Sequence, residues 1–410
     1  MLDPETTRHD DLRSGSGPWH AGARPAGRRL EQDTRCDVAI VGGGITGALL
    51  AEHLTAMELD VVLIDREREG FGSTAASTAM LQWEIDLPLR ELAALYGFER
   101  AAEVYRLSFE AVDGLGRLVQ ELALPCRFSH RQTVYLAAGE TGPRELLDES
   151  QLRGRAGLPG AFVEHAALLG AFGFDRKAAI VSPGSAEADP LSLCHALIAT
   201  AAQRGARLIR DEAVGFDGAG RSAAVSLASG HVVEADHVVL ATGYVMPDLV
   251  RDDLHSVASS WAIVTAPQPP HTLWPGPALV WEASEDYCYC RTTTDGRIVF
   301  GGEDEDFADP DKREALGPQK TKALLARLHA LIPQAHLELG HSWSGAFGQT
   351  EDGLPLIGRV PGSPRLLSAY GYGGNGITFS FLASRLIGSL IRGREESWFG
   401  HFAIDRPRPG

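Results

Sequence analysis

Three glycines, Gly42, Gly44 and Gly47, follow the apolar run Val38 to Val41 in G-x-G-x-x-G spacing. In such a turn one glycine permits the tight bend, the next lets backbone approach a pyrophosphate, and the third lets the helix pack close. A second apolar run, Val61 to Ile64, ends in Asp65. An acid there accepts hydrogen bonds from both ribose hydroxyls, so the unit reads as a dinucleotide site favouring an unphosphorylated 2′-position. Gly70 to Asp86, GFGSTAASTAMLQWEID, supplies small residues for close backbone approach and hydroxyls for phosphate oxygens. Far along the chain, Tyr287, Tyr289 and Arg291 alternate with two cysteines and so share one strand face. A guanidinium grips a carboxylate through paired N–H groups, while phenols add donors or an aromatic wall. Trp343 and Gln82 are further candidates for that pocket, and His341 is the histidine most worth testing.

These residues need elements to position them. Val38 to Val41 and Val61 to Ile64 read as buried parallel strands flanking a helix, Ala48 to Met57. A glycine often ends such a helix, and Glu58 stands there instead. Leucines and valines at helical spacing run from Leu89 to Leu124, started by Pro88 and stopped by Pro125. Gln132 to Leu136 alternates like a strand, and Arg144 to Arg153 reads as a helix. Asp189-Pro190 opens a helix over Leu191 to Arg204, and a buried strand runs from Ala235 to the A-T-G at Ala241-Thr242-Gly243. Ser260 to Ala266, Ala278 to Glu282, Tyr287 to Thr292 and Arg297 to Gly301 read as strands, with Asp295-Gly296 as a hairpin turn. Helices over Lys320 to Leu331 and Phe381 to Ile391 close the chain before a frayed tail at Arg406 to Gly410. The first 35 residues read as an irregular arm, pinned by Gly17-Pro18-Trp19.

At 410 residues the chain exceeds what one core usually supports, which points to two domains. A formal charge of −16 argues against nonspecific binding to nucleic acid or anionic membrane. The five cysteines are odd in number and scattered, as suits reduced thiols in the cytoplasm. Cys288 and Cys290 have no second pair at zinc spacing, and none of the 14 histidines stands in a metal-binding spacing, so no metal site is expected. No run reaches the ~18 apolar residues of a membrane span, and residues 1–35 lack the apolar core of a secretory signal.

The GGGITG turn with its acid, the A-T-G strand and the C-terminal GYGGNGIT together resemble the D-amino-acid oxidase family of FAD-dependent oxidoreductases. The likeness runs from about Cys36 to Ile391. It implies an α/β, Rossmann-like FAD-binding domain, discontinuous over 36–87, 186–250 and 342–395. An α+β substrate domain on a mixed sheet would take 88–185 and 251–341, with an arm at 1–35 and a tail at 396–410. By the resemblance Gly42, Gly44, Ile45, Thr46 and Gly47 cradle the pyrophosphate, and Asp65 with Arg66 meets the adenosine ribose. Ser73, Thr74, Ser77 and Thr78 match the polar loop that leads Met80 and Leu81 to the isoalloxazine. Val214 matches a backbone contact to adenine, and Thr242 and Gly243 a second strand end. Gly373, Gly374, Asn375, Gly376, Ile377 and Thr378 open the last helix, at the flavin pyrimidine edge. Members with covalent flavin carry a cysteine before the T-x-D segment. Here Ser344-Gly345-Ala346-Phe347 precedes Thr350-Glu351-Asp352, so noncovalent FAD is expected.

The implied chemistry is oxidation of a C–N bond in an amine or amino acid by hydride transfer to flavin, then imine hydrolysis. The family's arginine on the substrate carboxylate raises Arg291. Three alternatives stand beside this: a dehydrogenase with a non-oxygen acceptor, a non-catalytic FAD-binding assembly factor, and an NAD(P)H-reducible flavoprotein, disfavoured by the single G-x-G-x-x-G unit.

Overall fold

The computed structural model describes residues 12–19, 26–247, 249–250 and 255–407. Two sheets organise them. The smaller holds, in spatial order, Leu356–Val360, Ser363–Tyr370, Val232–Leu240, Thr34–Val41, Val61–Asp65 and Arg207–Arg210. Ala213–Asp217 and Ala223–Leu227 extend it as a side hairpin. Thr34–Val41 pairs in parallel with strands on both sides, which is why Val38 to Val41 is a continuous apolar run with no polar face. Helix Ile45–Ala56 crosses between these strands and packs against Pro190–Gln203 and Gly376–Ile391. Neighbours on several sides explain its near-complete burial. It stops at a left-handed residue, and that residue is Glu58, with φ of 61°.

The larger, ten-stranded sheet runs from Arg13–Gly15 through Leu339–Gln349, Ser256–Thr265, Ile298–Glu305, Cys288–Thr292, Ala278–Ala283, Ser129–Ala137 and Ala178–Glu187 to Met80–Leu81. Ala161–Glu164 pairs onto Ala178–Glu187. One face packs on helix Pro310–Leu331, through Leu324, Leu328 and Leu331 against Val280, Cys288, Cys290 and Phe300. The cysteines are therefore small fillers beneath the helix, and their burial pushes both thiols far up. Tyr287 and Tyr289 point the other way, as strand alternation requires.

Several expectations need correction. Arg13–Gly15 is a strand, antiparallel to Trp343–Gly345, where an irregular arm is expected. Trp19 does pin that segment, edge-on to Trp343 at 6.5 Å. Met80–Leu81 and the stretch 342–349 pair in the larger sheet, although the family resemblance groups them with the nucleotide-binding segments. The helical stretch after Pro88 is two helices, Leu89–Tyr96 and Phe98–Glu121, broken at Gly97 with φ of 82°.

The described part of the tail, to Pro407, also packs on the body. Phe402 is fully buried, its carbonyl accepts from the Ile357 N–H at 2.7 Å, and Arg406 makes a bidentate pair with Asp352. Residues 408–410 of the expected tail lie outside the described residues, as do 1–11 and 20–25 of the arm. Among the described residues no helix is long and apolar enough to cross a membrane.

Candidate active site

The glycine turn is dictated by sterics. Gly42 has φ of 110°, and a Cβ on it would lie 2.2 Å from the Ala241 carbonyl oxygen. One on Gly47 would lie 1.8 Å from the Gly42 carbonyl oxygen. Gly47 therefore packs helix on strand and does not face the cavity beside the turn. Gly44 does face it, and so do Ile45 and Thr46 at the helix start. The Ile45 N–H donates to Thr74 Oγ1 at 2.9 Å, which ties the hydroxyl-rich loop to the turn. Asp65 accepts from Gly43 N–H at 2.5 Å and Glu67 N–H at 2.7 Å, and burial pushes its carboxyl up to about 6.

Between the two sheets lies a cavity of about 780 Å³, within the usual range for a small-molecule or cofactor site. Arg66, Val214, Thr242 and Gly243 line it. So do Ser73, Thr74, Ser77, Thr78 and Met80, together with Gly373, Gly374, Asn375, Gly376 and Ile377. Tyr287, Tyr289, Gln82 and Trp343 line it as well. The sequence thus names part of one continuous surface, drawn from segments that are hundreds of residues apart.

Three expected cofactor residues do not line the cavity. Gly47 serves packing, Leu81 is core, and Thr378 donates its hydroxyl to the Gln82 carbonyl at 2.9 Å.

Arg291 is the larger correction. It is 3% exposed and lies behind the wall. Its Nε donates to the Thr78 carbonyl at 2.7 Å, one terminal nitrogen to the Ala188 carbonyl at 3.1 Å, and the other sits 3.3 Å from Glu187. With its guanidinium so committed it braces the polar loop and does not line the cavity. Strand alternation gives the face of Arg291 correctly but not its depth. His341 likewise faces a separate hollow of about 120 Å³ beside Arg291 and Trp19.

Sequence reasoning passed over two lining acids, Glu84 and Asp86, inside the loop it singled out for small residues. Their spacing, two apart and just after Gln82, was the available signal. Glu84 is 2% exposed, accepts hydrogen bonds from Thr133 and Ser185, and has Arg153 at 3.8 Å. Asp86 is exposed to solvent through the open cavity and accepts from Gly374 N–H at 2.7 Å. The protein packed around it raises its pKa by desolvation. Tyr287 donates its hydroxyl to Asp304 at 2.9 Å, just behind the wall. Among the described residues no histidine lines the cavity, and no group of three or more His, Cys, Asp or Glu could hold a metal ion.

Ser73 Oγ, Gln82 Nε2, Asp211 Oδ2, Trp281 Nε1 and Asn375 Oδ1 are buried atoms of lining residues with no hydrogen-bond partner among the described residues. Buried polar groups are rarely left so, and they suit a polar ligand held along the cavity.

The chain matches the family described as FAD dependent oxidoreductase over residues 37–390. It is 25% identical to gamma-glutamylputrescine oxidoreductase of Escherichia coli over 90% of this chain and 86% of that protein. It is 26% identical to glycine oxidase of Geobacillus kaustophilus over 89% of this chain and 95% of that one. The crystal structure of the Geobacillus glycine oxidase superposes with a TM-score of 0.73 at 24% identity, covering 91% and 99% of the two chains. Iminodiacetate oxidase from Chelativorans gives 0.70 at 22%, covering 88% and 96%. These superpositions show the same fold.

Proposed function

The chain belongs to the FAD dependent oxidoreductase family, its matched residues spanning both sheets, and from that premise we propose that it oxidises a C–N bond of an amine or amino acid, with FAD held noncovalently. One observation carries this reading: the glycine turn and the aromatic, acidic wall of the larger sheet open onto one cavity. The similar proteins include a glycine oxidase and a gamma-glutamylputrescine oxidoreductase, which supports a substrate of the same class.

The residues fit the cofactor. Glycines stand where a Cβ would collide, the start of helix Ile45–Ala56 turns its partial positive charge toward the cavity, and partnerless polar atoms belong to lining residues. Gly42, Gly44, Ile45 and Thr46 would hold the pyrophosphate, Asp65 and Arg66 the ribose end, Val214 the adenine, and Ser73, Thr74, Ser77 and Thr78 the ribityl chain. When bound, FAD accepts a hydride equivalent from a carbon next to nitrogen.

The chain's own part is to orient and to exclude. N–H groups at the start of helix Gly376–Ile391 favour negative charge nearby. Tyr287, Tyr289 and Trp343 form a wall that limits water. The substrate amine must be neutral to give up a hydride, and that route requires no base from the protein. All five cysteines are buried and none lines the cavity, which supports noncovalent FAD.

Anaerobic mixing of the FAD-loaded protein with a panel of amines and amino acids tests the reading. Bleaching of the flavin is expected with some of them, and a protein that stays yellow throughout would overturn it. Denaturation should release the flavin into solution. Hydrogen peroxide yield in air then separates oxygen from a quinone or protein acceptor.

A further inference from the structure

The end of the cavity bounded by Asp86, Tyr287 and Ser260 is a wall of acceptors without a cation. Asp86 faces the cavity, and no ion pair to it occurs among the described residues. The Tyr287 hydroxyl spends its proton on Asp304 at 2.9 Å, which leaves its oxygen lone pairs for the cavity. Asp304 behind it accepts from Ser260 as well as from Tyr287. Asn375, 5% exposed, gives its amide N–H groups to the Gln82 and Glu84 carbonyls and keeps a partnerless Oδ1 on the same cavity. Such a set calls for a donor-rich ligand.

The cations that could neutralise this end are committed elsewhere. Arg291 is held by Glu187, Arg153 by Glu149 at 2.7 Å, and Lys320, whose charge also reaches Asp304, by Glu305 at 2.8 Å. The arginines that do line the cavity, Arg13, Arg66 and Arg68, belong to the segments around Phe71 and Asp65. Asp86 and Asp304 are close enough to feel each other's charge.

We infer that this end binds a second, non-reacting ammonium group, so that the substrates are diamines or polyamines and a carboxylate at that position is rejected. The inference rests on the amine-oxidising reading above and sharpens it. Carboxylates beside the reacting nitrogen would hold it protonated and block hydride release, so they serve a different nitrogen on the same substrate. Asp86 also accepts the Gly374 N–H, a structural duty that an asparagine oxygen can keep. Substitution by asparagine therefore separates charge from capping.

The test uses the FAD-loaded protein under anaerobic conditions and follows flavin bleaching. The probes are α,ω-diaminoalkanes, n-alkylamines of equal length, and ω-amino acids in which a carboxylate replaces the far ammonium. Diamines should reduce the flavin about 10–100-fold more efficiently than the matching monoamines, the value of one charge-assisted contact. ω-Amino acids should be the poorest. Asp86→Asn and Asp304→Asn should each pull the diamine-to-monoamine ratio toward one, with FAD content and melting temperature reporting that each variant is folded.

Equal or better reduction by amino acids, or a ratio that survives both substitutions, would overturn the inference and leave amine oxidation standing. Absence of bleaching by every compound would overturn both.

Discussion

The turn from Gly42 to Gly47 and the wall around Tyr287 and Tyr289 face the same cavity, yet they are built by different means. Backbone geometry makes the turn: a Cβ at Gly42 or Gly47 collides with a carbonyl oxygen of a neighbouring segment. No other residue type fits, so the constraint is written in the residue names. Side chains from separate strands make the wall, and each is placed by partners distant in sequence. Tyr287 is set by Asp304, Arg291 by Glu187 and by the carbonyls of Thr78 and Ala188. A local pattern can say which way such a side chain points but not what it meets.

The sharpest way to break this contrast is Gly47→Ala. The added methyl has the rigid Gly42 carbonyl 1.8 Å away, so destabilisation upward of about 4 kcal/mol is expected, together with loss of FAD. Chemical denaturation and flavin content check it. A stable, yellow variant would show that the turn tolerates more than its sterics say.

Next in size is Arg406→Ala, which extends the side-chain logic to the end of the chain. It strands a largely buried Asp352, and about 3 kcal/mol should be lost, the low end for a broken buried pair because the Tyr96 hydroxyl and the Leu354 N–H still reach the carboxylate. Arg406 helps hold the Asp352 carboxyl below its usual range. A depressed folded-state pKa gives stability that is present above the unfolded value, near 3.9, and fades as pH falls through the folded one. The gap between wild type and variant should therefore narrow below about pH 4, as read from urea midpoints.

Arg291→Gln probes the wall directly. Glu187 keeps Arg131 at 2.6 Å, so about 2 kcal/mol is expected to be lost, less than for an abandoned charge. KM for amines should stay within about threefold, because the guanidinium does not reach the cavity. A rise in KM confined to carboxylate-bearing substrates would restore Arg291 to the site and undo the contrast.

The same division explains how much was legible in advance. The strand–turn–helix–strand unit at 37–65, Pro88 and Asp189-Pro190 as helix starts, and the hairpin at Asp295-Gly296 all rest on local backbone rules, and the structure has them. Ala178–Glu187 and Leu339–Gln349 escaped notice, although they are long strands. The first carries Pro183-Gly184 in its interior and the second three glycines, so neither shows the apolar alternation by which strands are read. Helix Pro310–Leu331 starts ten residues before its apolar pattern. Its beginning is set by the Asp309 carboxylate, which accepts the Asp311 and Lys312 N–H groups, and Gly317-Pro318 disguises the continuation. Glu84 and Asp86 were hidden by composition: in a loop dense in small residues two acids look like solvent contacts, and only the opposing sheet makes them a wall.

Glu58 gives the smallest effect and the cleanest test of the backbone side of the contrast. It ends helix Ile45–Ala56 in the left-handed region, with φ of 61°, where a side chain costs roughly 1 kcal/mol and glycine costs nothing sterically. Its N–H donates to the Thr55 carbonyl at 3.0 Å, so the turn is already formed and glycine need only relax it. Glycine also widens the unfolded ensemble, which takes back part of the gain. Glu58→Gly should therefore raise stability by a few tenths to about 1 kcal/mol, with flavin content unchanged. A loss of stability instead would mean that the Glu58 side chain contributes more than its backbone strain removes, and that even here side-chain contacts outweigh the geometry of the turn.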